Sequence, residues 1–232
     1  AQKASEPGPL VAYLKAHPSG RFSELAQVGL DGLLARQGEK RIRLASNERN
    51  PFTKGSAVAE QFRVGDRYTY RVVDLLTNIQ SAEYTQVVTE ITDSEVIFNK
   101  GAAITDLLGN PQKTPDGHRY SQNQFYASEY SLGKTWRTRY RVTFPGGKED
   151  EVEENFRVVA REGITVPAGT FYAFRIEATG HRIRDPVALE RSYWVAPGTI
   201  TRTIAHELTS KNARGRFLTT DRTELVSFTP GR

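Results

Sequence analysis

A chain of 232 residues with 38% hydrophobic content can bury one sizeable core, and 32 Lys and Arg against 27 Asp and Glu leave a net charge of only +5. That modest, dispersed excess argues against a dedicated nucleic-acid surface. The absence of cysteine excludes disulfides, thiol catalysis and thiolate metal sites, and no apolar run reaches the roughly 18 residues a membrane-spanning helix needs.

Methionine is absent too, so the chain is expected to have been processed or excised from a longer one. Its opening Ala-Gln fits a mature end left by signal cleavage, with a trimmed piece of a larger protein as the alternative. Residues 1–9, carrying Pro7, Gly8 and Pro9, read as a flexible tail. Residues 10–38 read as a helical hairpin broken at 17–20: Leu10, Val11 and Leu14 make one apolar stripe, and Phe22, Leu25, Val28, Leu33 and Leu34 a second. One such pair cannot bury its own stripe, so it is expected to cap the following domain or to end a longer array. Residues 39–60 read as a linker.

From residue 61 the apolar period changes to two, and residues 61–232 read as an antiparallel β domain. Short apolar–polar runs are separated by turn chemistry such as Pro145-Gly146-Gly147 and Pro197-Gly198. Residues 106–129, rich in Gly, Pro, Asn and Gln, form the longest irregular stretch and suggest a lid or binding loop. A weak internal echo sets 64–71 against 132–139, matching Gly65 with Gly133, Tyr68 with Trp136 and Arg71 with Arg139.

The run 133–142 places Arg137, Arg139 and Arg141 on one strand face. With 145–147 as a hairpin loop, Arg141 opposes Glu151, Arg139 opposes Glu153 and Arg137 opposes Asn155. On the other face Tyr140 opposes Val152 and Trp136 opposes Phe156. The arginines are therefore matched by carboxylates, which sets register and solubility and adds little stability. The opposite face, Trp136, Tyr140, Val152, Phe156 and Val158, is either ordinary sheet core or the lining of a cavity for an apolar ligand.

Arg202 and His206 share a face with Ile200, Ile204 and Leu208. Two ionisable groups on an apolar face need partners. The alternatives are a satisfied core or sheet-edge position and a site for an anionic ligand. No nucleophile elbow, phosphate loop or zinc-protease motif occurs, and no histidine has ligand spacing to a second. No catalytic residue, metal or cofactor is expected.

Two hairpins carry a family resemblance. Val166 to Ala173, Val-Pro-Ala-Gly-Thr-Phe-Tyr-Ala, resembles a hairpin of exported bacterial β-rich proteins of unknown function. Tyr193 to Arg202 resembles the strand–turn–strand of periplasmic outer-membrane lipoprotein carriers, and residues 13–27 resemble a tetratricopeptide unit. The resemblance implies a mainly β fold, a curved antiparallel sheet or incompletely closed barrel with helix at its mouth, in a periplasmic or secreted protein. The expected function is a non-enzymatic envelope binding module that contacts another protein or a surface polymer through its loops and cap. A carrier of an apolar ligand or lipid is the alternative, and an uncharacterised hydrolase the second. Trp136, Tyr140, Phe156, Arg202 and His206 are the candidate ligand-binding residues.

Overall fold

The computed structural model describes residues 7–17, 26, 27, 29, 30, 33, 57, 58 and 61–231. Helix α1, Pro7–Ala16, starts inside the segment read as a tail, because proline in a first helical turn gives up no hydrogen bond. Residues 26, 27, 29, 30 and 33 are helical as well. Leu14, Ala26 and Leu30 bury together against Leu10, Val11 and Tyr13. Leu10 Cδ1 stands 3.3 Å from where a Cβ on Gly29 would lie, so the bare backbone at 29 admits this close approach. Nothing in the cluster distinguishes a tetratricopeptide unit from any other helix pair. Phe22, Leu25, Val28 and Leu34 lie outside the described residues.

The strands are β1 Ala57–Val58, β2 Arg67–Asp74, β3 Gln80–Ile91, β4 Glu95–Phe98, β5 Ala103–Asp106, β6 Pro111–Lys113 and β7 Arg119–Tyr120. They continue as β8 Glu129–Tyr130, β9 Thr135–Thr143, β10 Glu149–Val166, β11 Gly169–Arg182, β12 Val187–Val195, β13 Thr203–Asn212 and β14 Phe217–Thr229. Twelve of them close an antiparallel barrel in the order β10-β11-β12-β13-β14-β2-β3-β4-β5-β6-β7-β9, with β9 returning to β10. The mainly β fold built on a curved antiparallel sheet is as the sequence reads. β1, within the segment read as a linker, pairs with β8 outside the barrel.

One expectation needs correction. Residues 106–129 are no free loop: they contribute β6 and β7, which complete the ring between β5 and β9. Gly and Pro there mark tight turns between strands too short to show a period. β10 runs unbroken over Glu149–Val166 and absorbs a break in its pattern as a bulge between Val158 and Ala160.

The β9–β10 register is the one the residues dictate. Arg139 lies opposite Glu153, Arg141 opposite Glu151, Trp136 opposite Phe156 and Tyr140 opposite Val152. Phe144 and Lys148 close the loop, Phe144 N donating to Lys148 O at 2.7 Å. The internal echo also has a main-chain counterpart. Gly65 N donates to Val88 O and Val88 N to Asp66 O, both at 2.8 Å. Likewise Gly133 N donates to Val158 O and Val158 N to Lys134 O, both at 2.9 Å. Both glycines hold positive φ, 92° and 81°, which a side chain would resist. Each bonded valine is followed by a bulge, at Thr89 and at Val159. Bulges strengthen local twist, so the matched pair helps two half-sheets curl into one ring.

The interior is filled, not open. One buried cluster gathers Tyr68, Phe98, Ile204 and Leu225, and another gathers Phe125, Tyr140, Phe156, Phe174, Ile176 and Tyr193. Between them the packing leaves a cavity.

Candidate functional site

The outer face of β9 carries no site. Arg139 Nε donates to Glu151 Oε1 at 2.7 Å, Arg137 pairs with Glu153, and Arg141 Nε lies 3.6 Å from Glu149 Oε2. Each guanidinium reaches one step diagonally from its direct cross-strand partner, the geometry a twisted sheet offers long side chains. All three arginines are more than half exposed, so the ladder is a solvated surface.

The inner face of β10 is different. Glu154, between Val152 and Phe156, is completely buried. Its Oε2 accepts from Tyr140 Oη at 2.8 Å and its Oε1 from Arg191 Nε at 2.7 Å. Arg191 stands on β12, two strands away. The pair can meet because the β11 residues between them are small: Gly180 opposite Glu154 and Ala178 opposite Arg191. A Cβ on Gly180 would run into Glu153 O and Glu154 Cγ. Removing one partner would strand the other's charge in the interior, at a cost of about 3–5 kcal/mol.

Arg191 is also one wall of the cavity, which measures about 160 Å³. Opposite stand Ala103 and Thr105 of β5, Pro111 and Lys113 of β6 and Tyr120 of β7. Gln86, Phe125, Tyr126, Tyr193, Arg202 and His206 are also in the lining, with the turn residues Gly109, Thr114 and Pro115 at its edge. Arg202, Tyr126 and Gly109 also line a smaller recess of about 20 Å³ toward Phe62 and Ile200.

The sequence-derived candidates fall in two places. Arg202 and His206 share the cavity wall. Phe156 and Tyr140 lie behind it in the core, 2% and 3% exposed. Trp136 lies further out, stacked on Phe156 at 5.2 Å. The two groups are connected, since Phe156 stacks on Tyr193 at 6.2 Å and Tyr193 on His206 at 4.5 Å, giving a column from Trp136 to the cavity. Tyr140 acts on the cavity indirectly, by holding Glu154 against Arg191.

Arg202 has the most unusual surroundings. Its guanidinium lies 4.7 Å from the Phe98 ring centre and 5.8 Å from that of Tyr68. Its Nη1 is buried without a hydrogen-bond partner, as are His206 Nε2 and Gln86 Oε1. Of the six such atoms among the described residues, these three line the one cavity. Burial first, then the positive charge of Arg191, holds the pKa of His206 down at about 3, so the ring is neutral near pH 7. Tyr193 is pushed well up by burial.

Sequence reasoning missed Glu154, Arg191, Gln86, Tyr193 and Lys113. A signal was present for the first two: Val152-Glu154-Phe156 and Leu189-Arg191-Tyr193 each set one charge within an apolar alternation. Gln86 and Lys113 carry no comparable mark. Among the described residues no group of three or more His, Cys, Asp or Glu is placed to hold a metal ion, and no helix is long and apolar enough to cross a membrane.

No protein-family model matches the chain, and no curated protein matches it. Its structure is similar to a candidate exported protein of Bacteroides fragilis with a YmcC-like fold, at 12% identity and a TM-score of 0.48, covering 75% of this chain and 99% of that one. A candidate lipoprotein of Parabacteroides distasonis aligns at 10% identity and a TM-score of 0.44, over 75% of this chain and 99% of that one. The hypothetical lipoprotein YmcC of Escherichia coli aligns at 12% identity and a TM-score of 0.43, over 71% of this chain and 85% of that one.

Proposed function

We propose that this chain is a non-enzymatic binding protein of the bacterial envelope whose ligand is a small molecule held inside the barrel. The cavity carries this reading: about 160 Å³ of space within a closed ring of strands, walled by aromatic side chains with a few polar groups among them. That is the usual composition of a ligand pocket. A dry protein cavity of about 150 Å³ is known to accept benzene, so the space suits one ring and not an acyl chain. The size argues for a compact ligand over a lipid. It also moves the weight from loop contacts with a protein or surface polymer, because the segment read as a recognition loop is part of the barrel wall.

Binding is favoured over catalysis by the state of the ionisable groups. Glu154 is occupied by Tyr140 and Arg191. His206, with its pKa near 3, cannot exchange a proton usefully at neutral pH. The envelope location rests on the exported-protein hairpins of the sequence. Filling the space tests the reading. Ala103, 5% exposed, lines the cavity from β5, and Ala103→Phe places a ring in it. Native mass spectrometry of the protein from its own host should show a retained small molecule that this variant loses while its melting temperature holds. Equal retention by both proteins would sink the idea.

A further inference from the structure

The charges around the cavity do not balance. Three cationic side chains line it, Arg191, Arg202 and Lys113, and no carboxylate does. Glu154 neutralises Arg191 from behind the wall. Lys113 Nζ donates to Gly101 O at 2.7 Å, a contact that leaves its charge uncompensated. Arg202 lies against ring faces and near tyrosine hydroxyls, and it makes no ion pair among the described residues. The residue as a whole is part-buried, with Nη1 buried and unpartnered. An arginine does not shed its proton to escape burial, so its charge persists in the lumen. A buried charge without a partner is costly, and native proteins satisfy such groups with a ligand, an ion or ordered water.

We infer that the lumen binds a single-ring organic carboxylate, with the anion on Arg202 and the ring among Tyr126, Tyr193 and Phe125. This rests on the reading of the barrel as a small-molecule binder and adds the ligand's chemical class. A guanidinium presents donors matched to a carboxylate, and in a water-poor site such a bond is worth more than in solution. The free His206 Nε2 adds a polar partner beside it, whereas the free Gln86 Oε1 is an acceptor and does not serve that role. Volume limits the body of the ligand to about one ring. The aromatic walls accept its faces, and Lys113 adds a second positive charge that favours an anion over a neutral isostere.

Calorimetry of the whole protein with benzoate and with benzyl alcohol, its neutral counterpart, tests this. Benzoate should bind at least about tenfold more tightly, a difference of roughly 1.4 kcal/mol. Arg202→Gln should abolish that preference and Arg202→Lys should keep part of it, with circular dichroism reporting whether each variant folds. The wild-type comparison stands by itself if neither does. Equal affinity for the two probes would overturn the anion assignment while leaving a small-molecule lumen intact. Competition by inorganic phosphate as strong as by benzoate would overturn the organic carboxylate in favour of a bare anion site. Exclusion of benzoate, benzyl alcohol and xenon alike would mean a water-filled core, and both readings would fall.

Discussion

His206 is a neutral ring in a cationic cavity, and this gives the fold an acid sensitivity of definite sign. In the unfolded chain its pKa is near 6.5, and in the barrel it is near 3. Below pH 6.5 the unfolded state binds a proton that the folded state refuses. Stability is therefore fully present above about pH 6.5 and drains away as pH falls toward 3, by up to about 1.4 kcal/mol per pH unit. His206→Phe keeps a flat ring on Tyr193 and removes the titration. Melting curves at pH 7 and pH 4.5 should show a clear drop in midpoint for the wild type and a smaller one for the variant. An equal drop in both would place the acid sensitivity elsewhere. Arg202 and His206 were legible as ionisable groups on an apolar face. Their shared cavity was not, because most of its far wall comes from within residues 106–129, which read as irregular chain.

At the scale of elements, β11 is the narrow point. Its residues Ala178 and Gly180 make room for an ion pair that bridges β10 and β12, and Gly180 admits no side chain beside the Glu153 carbonyl. Gly180→Ala should push β11 off β10, costing about 1–3 kcal/mol as an overpacking defect. Chemical denaturation measures that cost, and a variant as stable as the wild type would mean that the strands part freely. The β9–β10 register was readable because two constraints agreed: charges matched on one face and aromatics on the other. The length of β10 was not readable, since a bulge at Val159 shifts the inward phase and imitates a strand end. The inward position of Glu154 needed only the period of two, but its partner required the order of strands, which no local pattern specifies.

The molecule as a whole is a ring of unequal strength. β10 and β11 pair at fourteen positions, whereas β5–β6 pairs at two, β6–β7 at one and β7–β9 at two. A closed ring admits a molecule through its ends, where the cavity reaches the exposed turn at Pro115, and through its side only where a weak stretch breathes. That stretch is also the cavity wall that contributes Pro111, Lys113 and Tyr120. Local opening takes less free energy where few ladder bonds must break. Deuterium should therefore reach the amides of Gln112, Lys113 and Tyr120 far sooner than those of Val152 to Val158, and mass-spectrometric exchange can time both. Were the two regions protected alike, the thin seam would be no door. If the seam is faster, its opening widens the way into the cavity and speeds filling and emptying. Residence time would then depend on a few backbone bonds between short strands, separately from the contacts that set affinity.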